Sequence, residues 1–228
     1  RSTLFPYTTL FRSGSAKIHH ACLTVDDGST RLLLDPGRLG PRPDLDGVDA
    51  VLITHRHFDH FDPELVEEAL GRGVPVWMPG DAFGDLGDSG GAVGDNLHEA
   101  VAGATLRIGA LTVRVSGSRH AEVHPTIPGP ENRAYLIDER VLVTGDEHPA
   151  PPGRLTALVT PADAPWLRAA DLIRYVRAVR PELVVGVHDG LLNADGLGVA
   201  RRVVDSLRGE GAARSALLAD GEAIDIPE

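Results

Sequence analysis

From residue 14 onward, short β-rich runs alternate with turns along most of the chain. Residues 21–25 and 31–34 flank Asp26-Asp27-Gly28, which predicts a hairpin. Residues 48–53 are apolar along most of their length, as a buried strand is. That run ends at Thr54 in a polar loop, and Asp62-Pro63-Glu64 then opens a helix to about residue 70. Aspartate caps it, proline takes the first helical position, and the early glutamate suits the helix dipole. A strand is predicted over 74–78 and an irregular glycine-rich loop over 80–94. Residues 105–108 with 112–115, and 133–137 with 141–144 across Asp138-Glu139, predict two further strand pairs, and 155–159 another strand. The period then changes. Trp166, Leu167, Ala170, Ile173, Val176 and Val179 recur at three- and four-residue steps, predicting an amphipathic helix over 165–179 that Pro181 ends. A strand over 183–187, a helix over roughly 196–207 and a short hairpin around Asp220-Gly221 close the chain. Meanders interrupted by helices suggest two sheets with helices outside.

Composition narrows the classes. A chain of 228 residues, 42% hydrophobic and 24% charged, has the balance of one large soluble domain. No apolar run approaches the ~18–20 residues of a membrane-spanning helix. Thirty-three acids against 22 bases give −11, a charge that repels phosphate backbones and argues against a nucleic-acid binder. It leaves room for a phosphorylated substrate, because metal ions in a cleft override the surface field. Lys17 is the only lysine, a bias towards arginine that a GC-rich bacterial genome would give. The one cysteine, Cys22, excludes internal disulfides and zinc sites built on several thiolates. Residues 1–13 hold three of the ten aromatic residues and no acid, and lack the apolar stretch and cleavage site of a secretory signal. They read as a non-native or disordered leader, resembling translated sequencing adaptor. The expected domain is therefore 14–228 and the expected compartment the cytoplasm.

Histidine carries the chemistry. In Thr54-His55-Arg56-His57-Phe58-Asp59-His60, three histidines and an aspartate stand within six residues, after a predicted strand and before a predicted helix. His55 and His57 alternate, so in extended geometry they point the same way. Asp59 and His60 lie where the chain turns into the helix and can face the same space. Imidazoles and a carboxylate suit zinc, manganese or iron without a thiol. From this composition the pattern arises by chance about two times in a thousand, so it is specific as a metal signature.

The motif, its place after a strand and the later histidines resemble the metallo-β-lactamase superfamily of metallo-hydrolases. Residues 17–25 (Lys-Ile-His-His-Ala-Cys-Leu-Thr-Val), with their His-Ala pair, and Leu34-Asp35-Pro36-Gly37 are similar to the opening strand and Asp-Pro turn of the branch of L-ascorbate-6-phosphate lactonase-like hydrolases. The resemblance covers residues 17–226 and implies an α+β fold, a four-layer αββα sandwich of two mixed β-sheets with helices on the outside. It implies two divalent ions, zinc first and manganese or iron as alternatives. His55, His57 and His120 match the ligands of one ion. Asp59, His60 and His188 match those of the other, and Asp146 matches the carboxylate bridging both. Two such cations make water a usable nucleophile and stabilise charge on the attacked and leaving oxygens. The implied reaction is attack of a metal-bridged hydroxide on a small lactone, ester or amide, with Asp59 also orienting the hydroxide or taking its proton. A small-molecule substrate is the only partner expected; neither nucleic acid nor membrane is.

Alternatives stand beside this reading: a metal-dependent phosphodiesterase on the same fold, a non-catalytic metal-binding or sensor protein, and a hydrolase using Cys22. His124 competes with His120 as third ligand, or lies behind it in the pocket. His20 is either a pocket residue beside the metals or a histidine hydrogen-bonded within the first sheet. His148 overhangs the site or is an ordinary loop histidine, and His19 and His98 are expected on the surface. Asp35 is expected to orient a ligand, because ligating histidines need an outer acceptor. Trp166 is expected to pack in the core, Cys22 to be a buried small hydrophobe, and Arg56 and Arg133 to be solvated unless they meet an anionic substrate. The acids of 80–95 (Asp81, Asp85, Asp88 and Asp95) would disfavour a highly anionic substrate if they rim the cleft.

Overall fold

The computed structural model describes residues 14–87 and 95–227. The leader expected at 1–13, and Asp88 within the glycine-rich loop, lie outside the described residues. Alternating side chains build two seven-stranded sheets. In spatial order the first runs β14 (Ala223–Asp225), β1 (Gly14–His19), β2 (Cys22–Asp26), β3 (Arg31–Leu34), β4 (Ala50–Leu52), β5 (Val76–Met78) and β6 (Leu97–Glu99). The second runs β13 (Arg214–Leu217), β12 (Leu183–Val187), β11 (Ala157–Pro161), β10 (Val141–Val143), β9 (Ala134–Ile137), β8 (Leu111–Ser116) and β7 (Thr105–Ile108). Each sheet is antiparallel at one side and parallel at the other, with β3 to β6 parallel in the first and β10 to β13 parallel in the second.

Period-two patterning sets the layers. Leu32, Leu34, Ala50 and Leu52 face Val113, Val115, Ile137, Val143 and Val159 in the core between the sheets. The alternate positions, Leu33, Val51 and Ile53, turn outward onto Leu65, Val66 and Ala69 of α1 (Pro63–Gly71). On the other outer face, Leu136, Leu142, Leu158 and Val184 meet Leu172, Val176 and Val179 of α2 (Ala169–Val179). Ala200 and Val204 of α3 (Ala194–Ser206) pack on Ala162 and Leu217. The result is the four-layer αββα sandwich, two mixed sheets with helices outside. Among the described residues no helix is long and apolar enough to cross a membrane.

Several local expectations change. The segment similar to one opening strand is two strands, β1 and β2, folded back at His20-Ala21, with His20 at φ 45°. Short, polar β6 follows the glycine-rich loop as an edge strand, and Gly80–Asp85 forms a 3-10 helix. The hairpin expected at Asp220-Gly221 is absent: β13 pairs with β12 in one sheet and β14 with β1 in the other. The helix expected from 165 begins at Ala169, because Arg168 is extended at its N-cap and Leu167 N–H closes a turn on the Ala164 carbonyl. Helix α1 starts as expected, with the Asp62 side chain accepting from Glu64 N–H.

Candidate metal centre

The strand order brings every expected ligand to one rim. β1, β3 and β4 run in one direction in the first sheet, and β8, β10 and β12 share a direction in the second. Residues just past their C-terminal ends meet: His20 after β1, Asp35 after β3, His55–His60 after β4, His120 after β8, Asp146 after β10 and His188 after β12. Carboxyl ends of strands are where open sheets leave room for a ligand.

Three overlapping groups of donor atoms converge there: His55, His57 and His120; His55, His60 and Asp146; and His20, Asp59, His60 and His188, the atoms of each group lying within 4.8 Å of one another. His55 Nε2 stands 3.1 Å from His57 Nδ1. His60 Nε2 is 3.3 Å from Asp146 Oδ1, and His120 Nε2 and His188 Nε2 are each 3.3 Å from Asp146 Oδ2. His188 Nε2 lies 3.4 Å from Asp59 Oδ2. Ligands about 2.0–2.1 Å from a tetrahedral ion stand roughly 3.3–3.4 Å apart, so these spacings suit a shared cation. His60 Nε2 and Asp146 Oδ1 are buried and hydrogen-bond to nothing, although buried polar atoms are ordinarily satisfied. That orphaned pair, with a donor set of imidazoles and carboxylates, fits a first-row divalent cation.

The surrounding shell explains which nitrogen faces inward. His60 Nδ1 donates to Asp35 Oδ2 at 2.8 Å, and the same carboxylate accepts from Thr54 N and Oγ1 at 2.7 and 2.8 Å. Asp35 thus holds His60 as expected of an outer acceptor. His120 Nδ1 donates to the Ala121 carbonyl at 2.7 Å, which leaves Nε2 free to ligate. His20 behaves differently. Its Nδ1 accepts from Gly190 N–H at 2.9 Å, so Nε2 carries the proton and donates to Asp59 Oδ2 at 3.3 Å. A nitrogen that donates cannot also ligate, so His20 steadies Asp59. Backbone shape matters as well: a Cβ on Gly37 would stand 2.0 Å from the Asp59 carbonyl oxygen, and one on Gly145, at φ 59°, would stand 2.5 Å from Asn132 Oδ1.

Charge divides the cluster. Burial lowers the pKa of His55 well below its ordinary value, and neighbouring His60 adds to this; burial and His120 likewise lower His57. For His60, burial is outweighed by Asp146 and Asp35, which hold the pKa well above its ordinary value. For His188, burial is outweighed by Asp146 and Asp59, and the pKa rises to about 9. Asp59 and Asp146 are buried yet held well below the carboxylate range, Asp59 by hydrogen bonds from His188 and His20, Asp146 by the charge of His60 and a hydrogen bond from His120.

The structure therefore brings His55, His57, Asp59, His60, His120, Asp146 and His188 together. His124 is exposed and bonds Thr126 within its own loop. Other expectations change. Trp166 stands at the site, its Nε1 donating to Asp146 Oδ2 at 3.0 Å. His148 stacks on Tyr175 at 4.3 Å and meets Trp166 edge-on, and burial lowers its pKa to about 4. His19 and Arg133 are buried, and His98 is half-buried against Trp77. Cys22 is fully buried, and burial pushes its thiol pKa up, which leaves no thiolate for catalysis. The sole lysine is buried under the rim: Lys17 Nζ meets Asp189 Oδ1 at 2.5 Å and donates to the Leu218 carbonyl at 3.1 Å, tying β1 to the turn that carries His188. His188 itself sits at φ 66°. Asp189 next to it was the only local hint of that anchor.

Comparison with known proteins bears on this geometry. Residues 16–188 match the family described as Beta-lactamase superfamily domain. Protein Rv0786c of Mycobacterium tuberculosis is 35% identical over 190 residues, covering 79% of this chain and 85% of that protein. The UPF0173 metal-dependent hydrolase MJ1163 of Methanocaldococcus jannaschii is 32% identical over 135 residues, covering 56% of this chain and 58% of its own length. Among solved structures, the metallo-beta-lactamase fold protein YhfI from Bacillus subtilis superposes with a TM-score of 0.68 at 14% identity, covering 95% of this chain and 100% of that one. Such a likeness speaks for the fold alone. The matched family spans β1 through His188 and so takes in every residue of the cluster: the chain belongs to the beta-lactamase superfamily.

Proposed function

We propose that this protein is a metal-dependent hydrolase acting on a small lactone, ester or amide. The observation that carries the reading is the convergence of five imidazoles and two carboxylates around the orphaned His60 Nε2 and Asp146 Oδ1. His55, His57 and His120 would hold one divalent ion, and Asp59, His60 and His188 a second, with Asp146 shared; zinc suits this donor set first, manganese or iron next. When bound, the ions supply an activated water and stabilise charge on the attacked and leaving oxygens. The protein's own residues do the rest. Asp35 and the Ala121 carbonyl fix the His60 and His120 tautomers. Asp59, anchored by His20, would orient the water and take its proton. Trp166 closes one side of the site and fixes Asp146 Oδ2.

Relatives named metal-dependent hydrolases support the class. The His20-Ala21 pair and the Asp35-Pro36-Gly37 turn, both at the site, support a place beside the L-ascorbate-6-phosphate lactonase-like branch. The reading takes 14–228 as the working domain and a cytoplasmic small molecule as substrate. Elemental analysis tests it: about two equivalents of zinc, manganese or iron are expected, falling sharply in His57→Ala. Ester turnover should vanish on chelation and return with metal. Protein that stays metal-free in excess metal would overturn the proposal.

A further inference from the structure

Six large apolar side chains are exposed among the described residues: Phe58, Val101, Val123, Ile127, Leu191 and Val199. Four of them sit on the segments that carry the metal-centre residues. Phe58 lies between His57 and Asp59, Val123 and Ile127 follow His120, and Leu191 follows His188. Three residues of chain reach at most about 10 Å. The His57 and His120 rings are 4.6 Å apart, and the His60 and His188 rings 5.3 Å, so the ligand-bearing turns that carry Phe58, Val123 and Leu191 meet at one centre. Ile127 folds back on His124, next to Val123, in an isolated antiparallel bridge. Phe58 and Leu191 are the most open of the three attached directly to ligand turns, at 55% and 64% exposure. Scattered surface apolar residues need no explanation, but four of six on the segments that carry a metal centre are a concentrated exception.

Charge around the same mouth points the same way. Arg56 is paired with Asp85 at 2.5 Å and Arg38 with Asp62 at 3.2 Å. Arg119 donates to the Gly129 carbonyl at 3.2 Å, and buried Arg133 donates to the Ala100 carbonyl at 2.6 Å and pairs with Glu131. Lys17 is buried on Asp189. Each of these bases therefore already has a partner, and beyond the metal ions themselves an anionic substrate would meet apolar carbon rather than an unengaged base.

We infer that the mouth selects a neutral carboxylic ester or lactone bearing an apolar acyl chain, with Phe58 and Leu191 as the specificity-determining contacts. The inference rests on the hydrolase reading. The carbonyl lies over the metal centre while the chain runs out across Phe58 and Leu191, and each methylene removed from water adds up to about fourfold in affinity.

The test uses the metal-loaded full chain on p-nitrophenyl acetate, butanoate, hexanoate and octanoate, and on bis-p-nitrophenyl phosphate. kcat/KM should rise at least tenfold from acetate to hexanoate, and the rise should flatten in Phe58→Ser/Leu191→Ser but persist in Val199→Ser, an exposed position on α3. Binding of the neutral probe N-phenyl-1-naphthylamine to metal-free protein should weaken several-fold in the double variant, and in Leu191→Arg alone. If probe binding depends on Phe58 and Leu191 but no ester is hydrolysed, the apolar mouth stands and the hydrolase reading falls. Esters hydrolysed at rates indifferent to chain length, with probe binding unchanged in the variants, would overturn the apolar mouth and leave the hydrolase. Faster turnover of the phosphodiester than of any ester would overturn the preference for a neutral substrate.

Discussion

His55, His57 and His120 form one lobe of the cluster, and Asp59, His60 and His188 the other. The first contains no carboxylate of its own, and burial and crowding keep His55 and His57 neutral. The second is threaded with acids: Asp35 behind His60, Asp59 beside His188, and Asp146 facing both rings. The contrast teaches that residues of the same type are prepared for a cation in different ways. Neutral imidazoles are ready to ligate at once, whereas imidazoles wrapped in carboxylates hold protons that a cation must displace. In the absence of a cation, those protons balance buried negative charge that would otherwise be costly.

The largest expected effect comes from removing what the lobes share. Asp146→Ala should lower metal content in both and cut ester turnover by roughly a thousandfold, the scale of losing a principal electrostatic stabiliser; elemental analysis and kinetics on one preparation check it. Asp35→Asn should separate the lobes. It removes the charge that faces His60 directly and reaches His55 only through Thr54 Oγ1, so competition with a chelator should show about 10–100-fold weaker binding of one ion and a smaller loss in the other. Equal weakening of both would break the distinction. Trp166→Phe should cost about tenfold in affinity by freeing Asp146 Oδ2, and should abolish the part of the tryptophan fluorescence change on metal addition that Trp77→Phe retains.

Protons give the smallest but most discriminating signals. At about pH 7, metal uptake in weak buffer should release protons, fewer in His60→Gln or His188→Gln and an unchanged number per ion in His57→Gln. Without metal, His188 has its pKa raised from 6.5 to about 9, so its stabilising contribution is complete below pH 6.5 and is lost as pH rises through about 9. His148 has the opposite sign. Its pKa is lowered from 6.5 to about 4, so the fold loses stability as pH falls through that range. Urea midpoints across pH should show a flatter alkaline limb in His188→Gln and a flatter acid limb in His148→Phe.

Local features were legible in the sequence. The His55–His60 cluster could be read because its donors are neighbours in the chain, α1 because its cap and proline are adjacent, and the sheet layers because Leu32-Leu33-Leu34 alternates between two cores. What escaped depended on distant partners. By its own pattern β1 does not read as a strand, because Lys17 occupies a buried position that only partners distant in the chain, Asp189, Asp220 and the Leu218 carbonyl, make tolerable. His19 and Arg133 were expected in solvent for the same reason. The pairing of β13 and β14 with different sheets leaves no trace in a run of turn residues. Trp166 belongs to an apolar stripe by spacing, and its role became visible only once α2 began after it and freed the indole for Asp146.

Lys17 has a practical consequence. It is the chain's single side-chain amine, and at 2% exposure it is sealed between β1 and the His188 turn. An acylating reagent can reach it only when that edge of the sandwich opens. The rate at which this one residue gains an acyl group, followed as one mass increment, is therefore a built-in clock for opening beneath the metal centre, and bound metal should slow it.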